Sequence, residues 1–172
     1  MGQGAIMRLN LGCCDLPLKG WINVDKSESP HIKSDVTCDA LKLDECFEKG
    51  EVEEIYAGHL LEHLTPTEAD EAIEHWKSML CEGGKLGVVV PDAKVIAQMY
   101  LDGEATIKEL NDVYIYSYCQ ESLHKSLWDT ESLRELFEKH GFIEIKEIDR
   151  LYDKRQPFGA KWQTGQEGIV CN

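Results

Sequence analysis

The sequence predicts an open α/β domain, and two observations carry that expectation. The first is the stretch 7–25. A short apolar run from Met7 to Leu11 stops at Gly12, small and turn-forming residues follow, and a second apolar run from Trp21 to Val24 ends on Asp25. Strand, glycine turn, strand and carboxylate is how an open sheet builds a nucleoside pocket. The glycine lets backbone approach the ligand, and a carboxylate at the neighbouring strand tip accepts both ribose hydroxyl protons. The second observation is the alternation further along: apolar runs at 54–58 and 85–90 flank an amphipathic helix that opens at Thr65. At 172 residues, the expectation is one domain over 1–172 that buries roughly two-thirds of its unfolded surface.

The first loop narrows the nucleoside. G-x-G-x-x-G is absent, because Gly12 is followed by Cys13, Cys14 and Asp15 and then Leu16 and Pro17. Nothing between Gly12 and Trp21 is long enough for a helix whose N-terminus would hold a pyrophosphate. Asp25 lies thirteen residues after Gly12, against about twenty in the dinucleotide pattern. A nucleoside cofactor without phosphates fits better, and S-adenosylmethionine (SAM) is one.

Lys26 to Pro30 reads as a turn, and Ile32 to Cys38 as a short, poorly patterned strand leading to Asp39, Ala40 and Leu41. Asp39 is placed to cap the segment 40–48, with Leu41 and Phe47 as core. Glu54 to Gly58 reads as a central strand that delivers His59 to the sheet edge where ligands bind. Thr65-Pro66-Thr67-Glu68 gives a capping threonine, proline at the first helical position and glutamate at the third. Ala69, Ala72, Ile73, Trp76, Met79 and Leu80 then share a face. Gly83 and Gly84 are expected to end that helix, with Lys85 to Val90 a buried strand closed by Pro91.

Residues 92–127 read as a helical insertion over the pocket. One helix carries Val95, Ile96 and Met99; a second carries Ile107, Leu110, Tyr114 and Tyr118, with Gly103 as the break. Asp129 or Thr130 caps a further helix with Leu133, Leu136, Phe137 and His140 inward and Gly141 after its end. Phe142 to Ile148 alternates as a half-buried strand, and 168–171 forms the last one. The link 153–162 carries three basic residues, Lys154, Arg155 and Lys161, in an otherwise acidic chain.

Taken in order, Asn10-Leu11-Gly12-Cys13, Gly20-Trp21-Ile22-Asn23-Val24-Asp25, His59-Leu60-Leu61-Glu62-His63-Leu64, and Gly83-Gly84 before Lys85–Val90 and Pro91-Asp92 resemble the small class I SAM-dependent methyltransferases over nearly the whole chain. The resemblance implies a doubly wound, mostly parallel seven-stranded sheet with an antiparallel final strand inserted beside the fifth. It implies SAM as cofactor, held by Asn10, Gly12, Cys13, Asp25, Lys26, Asp39, Ala40, Leu41, Gly58 and His59. Asp39 would read the adenine amino group and Leu41 wall the ring. The family usually has glycine where Cys14 stands, which narrows the space beside the methionine part. Larger relatives carry N-terminal helices over the cofactor. Here the 92–127 insertion would serve as lid, or a second subunit of a homo-oligomer would supply cover.

The resemblance places His59 beside the transferred methyl, with His63 and His124 the other candidate catalytic side chains. The Asn/Asp-Pro-Pro-Tyr motif of amino-methylating enzymes is missing; Gly58-His59-Leu60-Leu61 stands instead. An imidazole that titrates near neutrality suits a hydroxyl or other protic acceptor, so a small-molecule or carbohydrate-like acceptor is expected. A non-catalytic SAM-binding partner subunit is the alternative. His59-x-x-Glu62-His63 also matches the zinc-hydrolase pattern H-x-x-E-H. That chemistry needs both histidines on one face of a continuous helix, whereas the capping box starts the helix only after His63, so no metal is expected.

Net charge is −14, with acids clustered at 44–54 and 68–74. Such a surface repels phosphate backbones, which argues against a nucleic-acid acceptor. No apolar run approaches a membrane span and no signal segment opens the chain. Seven cysteines, none in C-x-x-C, read as reduced, and the cytoplasm is the expected compartment.

Overall fold

Strand β1 (Arg8–Leu11) lies at the centre of the sheet, between β2 (Ile22–Asp25) and β4 (Val52–Gly58), and is parallel to both. The computed structural model describes residues 7–114, 123–148 and 166–171. Beyond β2 runs β3 (Val36–Thr37), and beyond β4 runs β5 (Leu80–Pro91). The last strand, β7 (Gln166–Cys171), pairs antiparallel with β5 and with β6 (Lys146–Ile148). The order is β3-β2-β1-β4-β5-β7-β6. The expectation of a mostly parallel seven-stranded sheet is corrected in one respect. The parallel sheet is the five-strand block β1–β5, and at its edge β7 breaks the parallel run.

The β1–β2 connection is the unusual step, because parallel neighbours are normally joined by a crossover of a dozen or more residues, mostly a helix. Here a turn suffices, and the buried Asn23 organises it. Its Oδ1 accepts from Leu18 N at 2.7 Å and from Asn10 Nδ2 at 2.9 Å. Its own backbone N and Nδ2 both donate to Asp35 Oδ2 at 2.8 Å. One buried amide thus supplies the partners that a helix would have supplied through its backbone.

Helix α1 (Pro66–Met79) starts as its sequence dictates. Thr65 Oγ1 accepts from Glu68 N, and Glu68 Oε2 accepts from Thr65 N at 2.8 Å. Its buried face is Ala69, Ala72, Ile73, Trp76 and Met79, packed on the apolar residues of β1, β4 and β5. Trp76 Nε1 donates to Ala40 O at 2.7 Å, tying α1 to the 3₁₀ turn Ala40–Glu45. The glycine pair does not end this helix. It stops at Met79, and Leu80 already has extended φ/ψ and pairs with Val52, so Gly83 and Gly84 lie inside β5.

Helices α2 (Ala93–Leu101) and α3 (Ile107–Tyr114) fall in the expected insertion and bury Ile96, Met99, Ala105 and Leu110 as a small core of their own. Tyr116, Tyr118 and the basic link 153–162 lie outside the described residues. Helix α4 (Thr130–Lys139) is capped by Asp129 and buries Leu133, Leu136 and Phe137. The expected strand over 142–148 is shorter: β6 takes only Lys146–Ile148, and Phe142 packs edge-on against Phe137 instead. The cysteines also differ from expectation. Cys38 and Cys46 form a disulfide with Cα atoms 6.6 Å apart, and Cys14 is disulfide-bonded, while Cys81 is a free thiol. No helix among the described residues is long and apolar enough to cross a membrane.

Acid should destabilise the fold in two stages. Burial pushes His75 below its ordinary 6.5, with Asp44 opposing and Lys49 assisting. Nε2 of the neutral ring accepts from Leu43 N at 2.9 Å, closer than Asp44 at 3.7 Å. The unfolded chain therefore binds this proton first, and stability falls as pH drops below 6.5. Asp70, lowered by hydrogen bonds from Lys139 and His140, and Asp129, lowered by Ser132, are the opposite charge type with the same outcome. Their stabilisation is present above the ordinary value of 3.8 and is lost as pH falls through their lower folded values. Thermal melting against pH should show a shallow decline below 6.5 and a steeper one under 4. His75→Gln, which keeps an acceptor for Leu43 N, should flatten only the first.

Candidate active site

The parallel strands end together, and the residues just past their ends form the site. Gly12 follows β1 with φ +62, where a side chain is strained, and a Cβ there would lie 3.1 Å from Leu60 Cδ1. The β1 turn therefore sits directly against the segment that leaves β4. Asp25, at the tip of β2, accepts from Cys14 N through Oδ2 and from Ser27 N through Oδ1, each at 3.0 Å. Those two bonds fold the Gly12 turn onto the β2 tip. They leave each carboxylate oxygen with further lone pairs, since an ionised carboxylate offers about four acceptor positions.

Past β4, His59 takes a left-handed conformation, φ 56, while its N–H still donates to Val89 O at 2.8 Å. Of the three non-glycine residues with positive φ among the described residues, Cys14 and His59 flank this site. Such conformations persist where surrounding structure over-determines them, and they collect at functional sites. The twist at His59 aims its ring back onto the short turn Leu61–His63, where Nδ1 lies 3.1 Å from Glu62 Oε1. A carboxylate only accepts, so Nδ1 is the N–H and Nε2 the basic nitrogen.

Glu62 is the residue that the sequence reading left out of the site. It is 1% exposed, and its Oε2 has no hydrogen-bond partner. Burial pulls its pKa up, but the hydrogen bond from His59 and the neighbouring rings of His59, His63 and His124 outweigh that and hold it below its ordinary 4.5. The carboxylate is therefore ionised, buried and ringed by imidazoles. The only sequence signal for it was its place in H-x-x-E-H.

His124 arrives from far along the chain. Lys125 N and Ser126 N both donate to Glu62 O, at 2.8 and 3.2 Å, and Ala93 N donates to Trp128 O. This staple lays the segment 123–128 across the Leu61–His63 turn and sets the His63 and His124 rings edge to face, centroids 4.7 Å apart. One ligating atom from each of Glu62, His63 and His124 lies within 4.8 Å of the others. His59 and His63 do not share a helix face, because β4 ends at Gly58 and α1 begins at Pro66.

The other sequence candidates lie at four places. Gly12, Cys13, Asp25 and the exposed Lys26 stand at the β1 and β2 tips. Asp39 caps the Ala40–Glu45 turn, its Oδ1 accepting from Leu41 N at 3.0 Å, with Ala40 and Leu41 half-buried behind it. Asn10 is buried inside β1 and bonded to Asn23. Gly58 leaves a space that the Tyr56 hydroxyl fills, since a Cβ there would stand 2.6 Å from it. In the turn after Gly12, the buried Asp15 Oδ1 has no hydrogen-bond partner, a second acceptor that sequence reading missed.

Neither protein-family models nor curated protein sequences give a match to the chain. Solved structures do. A SAM-dependent methyltransferase from Archaeoglobus fulgidus is similar at TM-score 0.61 and 14% identity, covering 98% of this chain and 86% of that one. One from Thermotoga maritima is similar at 0.61 and 15%, over 96% and 81%. A Burkholderia thailandensis 1,6-didemethyltoxoflavin N1-methyltransferase, solved with that compound and S-adenosylhomocysteine, is similar at 0.56 and 13%, over 96% and 68%. With the sheet order and strand directions above, these likenesses establish that the chain has the α/β fold of the class I SAM-dependent methyltransferases.

Proposed function

We propose that the chain is a SAM-dependent methyltransferase whose acceptor is a protic oxygen of a small molecule or carbohydrate-like compound. The observation that carries this reading is the His59–Glu62 pair at the end of β4, beside the Gly12 turn and the Asp25 carboxylate. The cofactor fits these residues. The Gly12 turn has room only for backbone, Asp25 keeps lone pairs for ribose hydroxyls, and Asp15 Oδ1 is a buried acceptor awaiting a donor. Asp39, Ala40 and Leu41 would meet the adenine, and α2 with α3 would cover the acceptor side. Bound there, SAM would supply an electrophilic methyl group.

His59 Nε2 takes the proton of the acceptor hydroxyl while Glu62 stabilises the imidazolium that forms. The acceptor oxygen would bond to the methyl carbon as the carbon–sulfur bond of the sulfonium breaks, the sulfur keeping that electron pair as a neutral thioether, and the hydroxyl proton leaves on His59. General base catalysis of this kind contributes about 10²–10⁴ in rate. The test is incubation with SAM carrying a tritiated methyl and panels of phenols, sugars, amines and thiols. Label is expected in an oxygen-linked product that resists mild acid and base. Label confined to amines or thiols would overturn the acceptor class. Cofactor binding with no labelled product in any panel would favour the partner-subunit alternative.

A further inference from the structure

We infer that Glu62, His63 and His124 form a binding site for one divalent first-row transition-metal ion. Three features carry the inference. The first is proximity: one donor atom from each residue lies within 4.8 Å of the other two. Donors about 2.0–2.1 Å from a tetrahedral zinc stand roughly 3.3 Å apart, so closing the site needs only small side-chain rotations. The second is the orphaned acceptor. Glu62 is 1% exposed, Oε1 is taken by His59, and Oε2 meets no hydrogen-bond donor. A buried, ionised carboxylate oxygen without a partner is costly, and a cation would satisfy it.

The third feature is the backing of the ligands. His63 Nδ1 lies 3.3 Å from Leu123 O. A carbonyl only accepts, so Nδ1 carries the hydrogen and Nε2 carries the lone pair a metal needs. Metal-bound histidines are typically oriented this way by a backbone carbonyl on the far nitrogen. Glu62 is backed in the same manner by His59, and the segment that carries His124 is held by backbone hydrogen bonds from Lys125 N and Ser126 N to Glu62 O. Two imidazoles with one carboxylate select zinc, iron or cobalt over magnesium or calcium, and three protein ligands leave coordination positions open. The expectation of no metal, drawn from H-x-x-E-H as a helical motif, considered His59 with His63. The structure assembles a different set, with His124 in place of His59.

Joined to the methyl-transfer reading, and resting on it in this respect alone, the open positions would take the acceptor oxygen and lower the pKa of its hydroxyl. Cation binding itself is measured without SAM or acceptor, so the two readings fail separately. The experiment dialyses the full chain against chelator and titrates it with Co²⁺, following visible absorption, and then with Zn²⁺ by calorimetry. The expected result is one equivalent bound, with Zn²⁺ displacing Co²⁺ and Mg²⁺ in excess displacing neither. His124→Ala, on a surface segment, and the near-isosteric Glu62→Gln should each weaken binding at least tenfold while circular dichroism stays unchanged. A folded parent that binds no Co²⁺ or Zn²⁺ overturns the site. Affinity retained in His124→Ala overturns it equally, because free Cys81 or surface acids would then be the ligands.

Discussion

Replacing His59 by Asn should cut turnover by about 10²–10⁴ while leaving SAM affinity within a few-fold. Asparagine is the informative choice because His59 sits at φ 56, a conformation that Asn tolerates better than most residues. Its amide can also still donate to Glu62 Oε1, as the His59 ring now does. What it lacks is a nitrogen able to take a proton. A residue serving only the turn would show the opposite pattern: stability would fall by about 1 kcal/mol and activity only in proportion to folded protein. A stable His59→Asn variant with parental turnover would remove the base from the proposed chemistry.

The second large effect is expected at Asp25. Removing its carboxylate would delete the two charge-assisted hydrogen bonds proposed to the ribose, each about 1.5–3 kcal/mol. Together they correspond to roughly 10²–10⁴ in affinity. Asp25 also holds Cys14 N and Ser27 N, so Asp25→Ala loosens the turn as well. Asp25→Asn separates the two roles, since its Oδ1 keeps one of those amides. Affinity should fall in both variants, and further in the alanine one.

How much of this was legible follows from how local each signal is. Thr65 and Glu68 cap each other within four residues, as do Asp129 and Ser132, and both helix starts were readable in the sequence. The Gly12 turn and Asp25 were legible because left-handed backbone and a strand-tip carboxylate leave a pattern in residue types. The end of α1 was not legible. Gly83-Gly84 looks like a helix stop, but pairing of Leu80 with Val52 takes the chain into β5 first, and a sheet partner carries no local signature. Asn23 looked like one more polar residue in a strand, because its role depends on Asp35 and on Leu18 folding back.

The histidine–glutamate cluster past β4 shows the same division. H-x-x-E-H was visible, but its geometry turns on a left-handed His59 that no β-to-helix pattern announces. His124 is brought to His63 by backbone amides of Lys125 and Ser126, which any sequence would supply. Cys38 and Cys46 bond across the capped turn that Asp39 starts, and their spacing alone does not distinguish a disulfide from two thiols.

If the Gly12 turn and Asp25 hold a phosphate-free nucleoside cofactor, as proposed, S-adenosylhomocysteine binds there. Calorimetric titration of S-adenosylhomocysteine into the purified chain, repeated with Asp25→Ala, tests it most directly. One site of about micromolar affinity is expected in the parent, with a loss of at least a hundredfold in the variant and no competition from NADH at similar concentration. Equal affinity in parent and variant, or displacement by NADH, would contradict it.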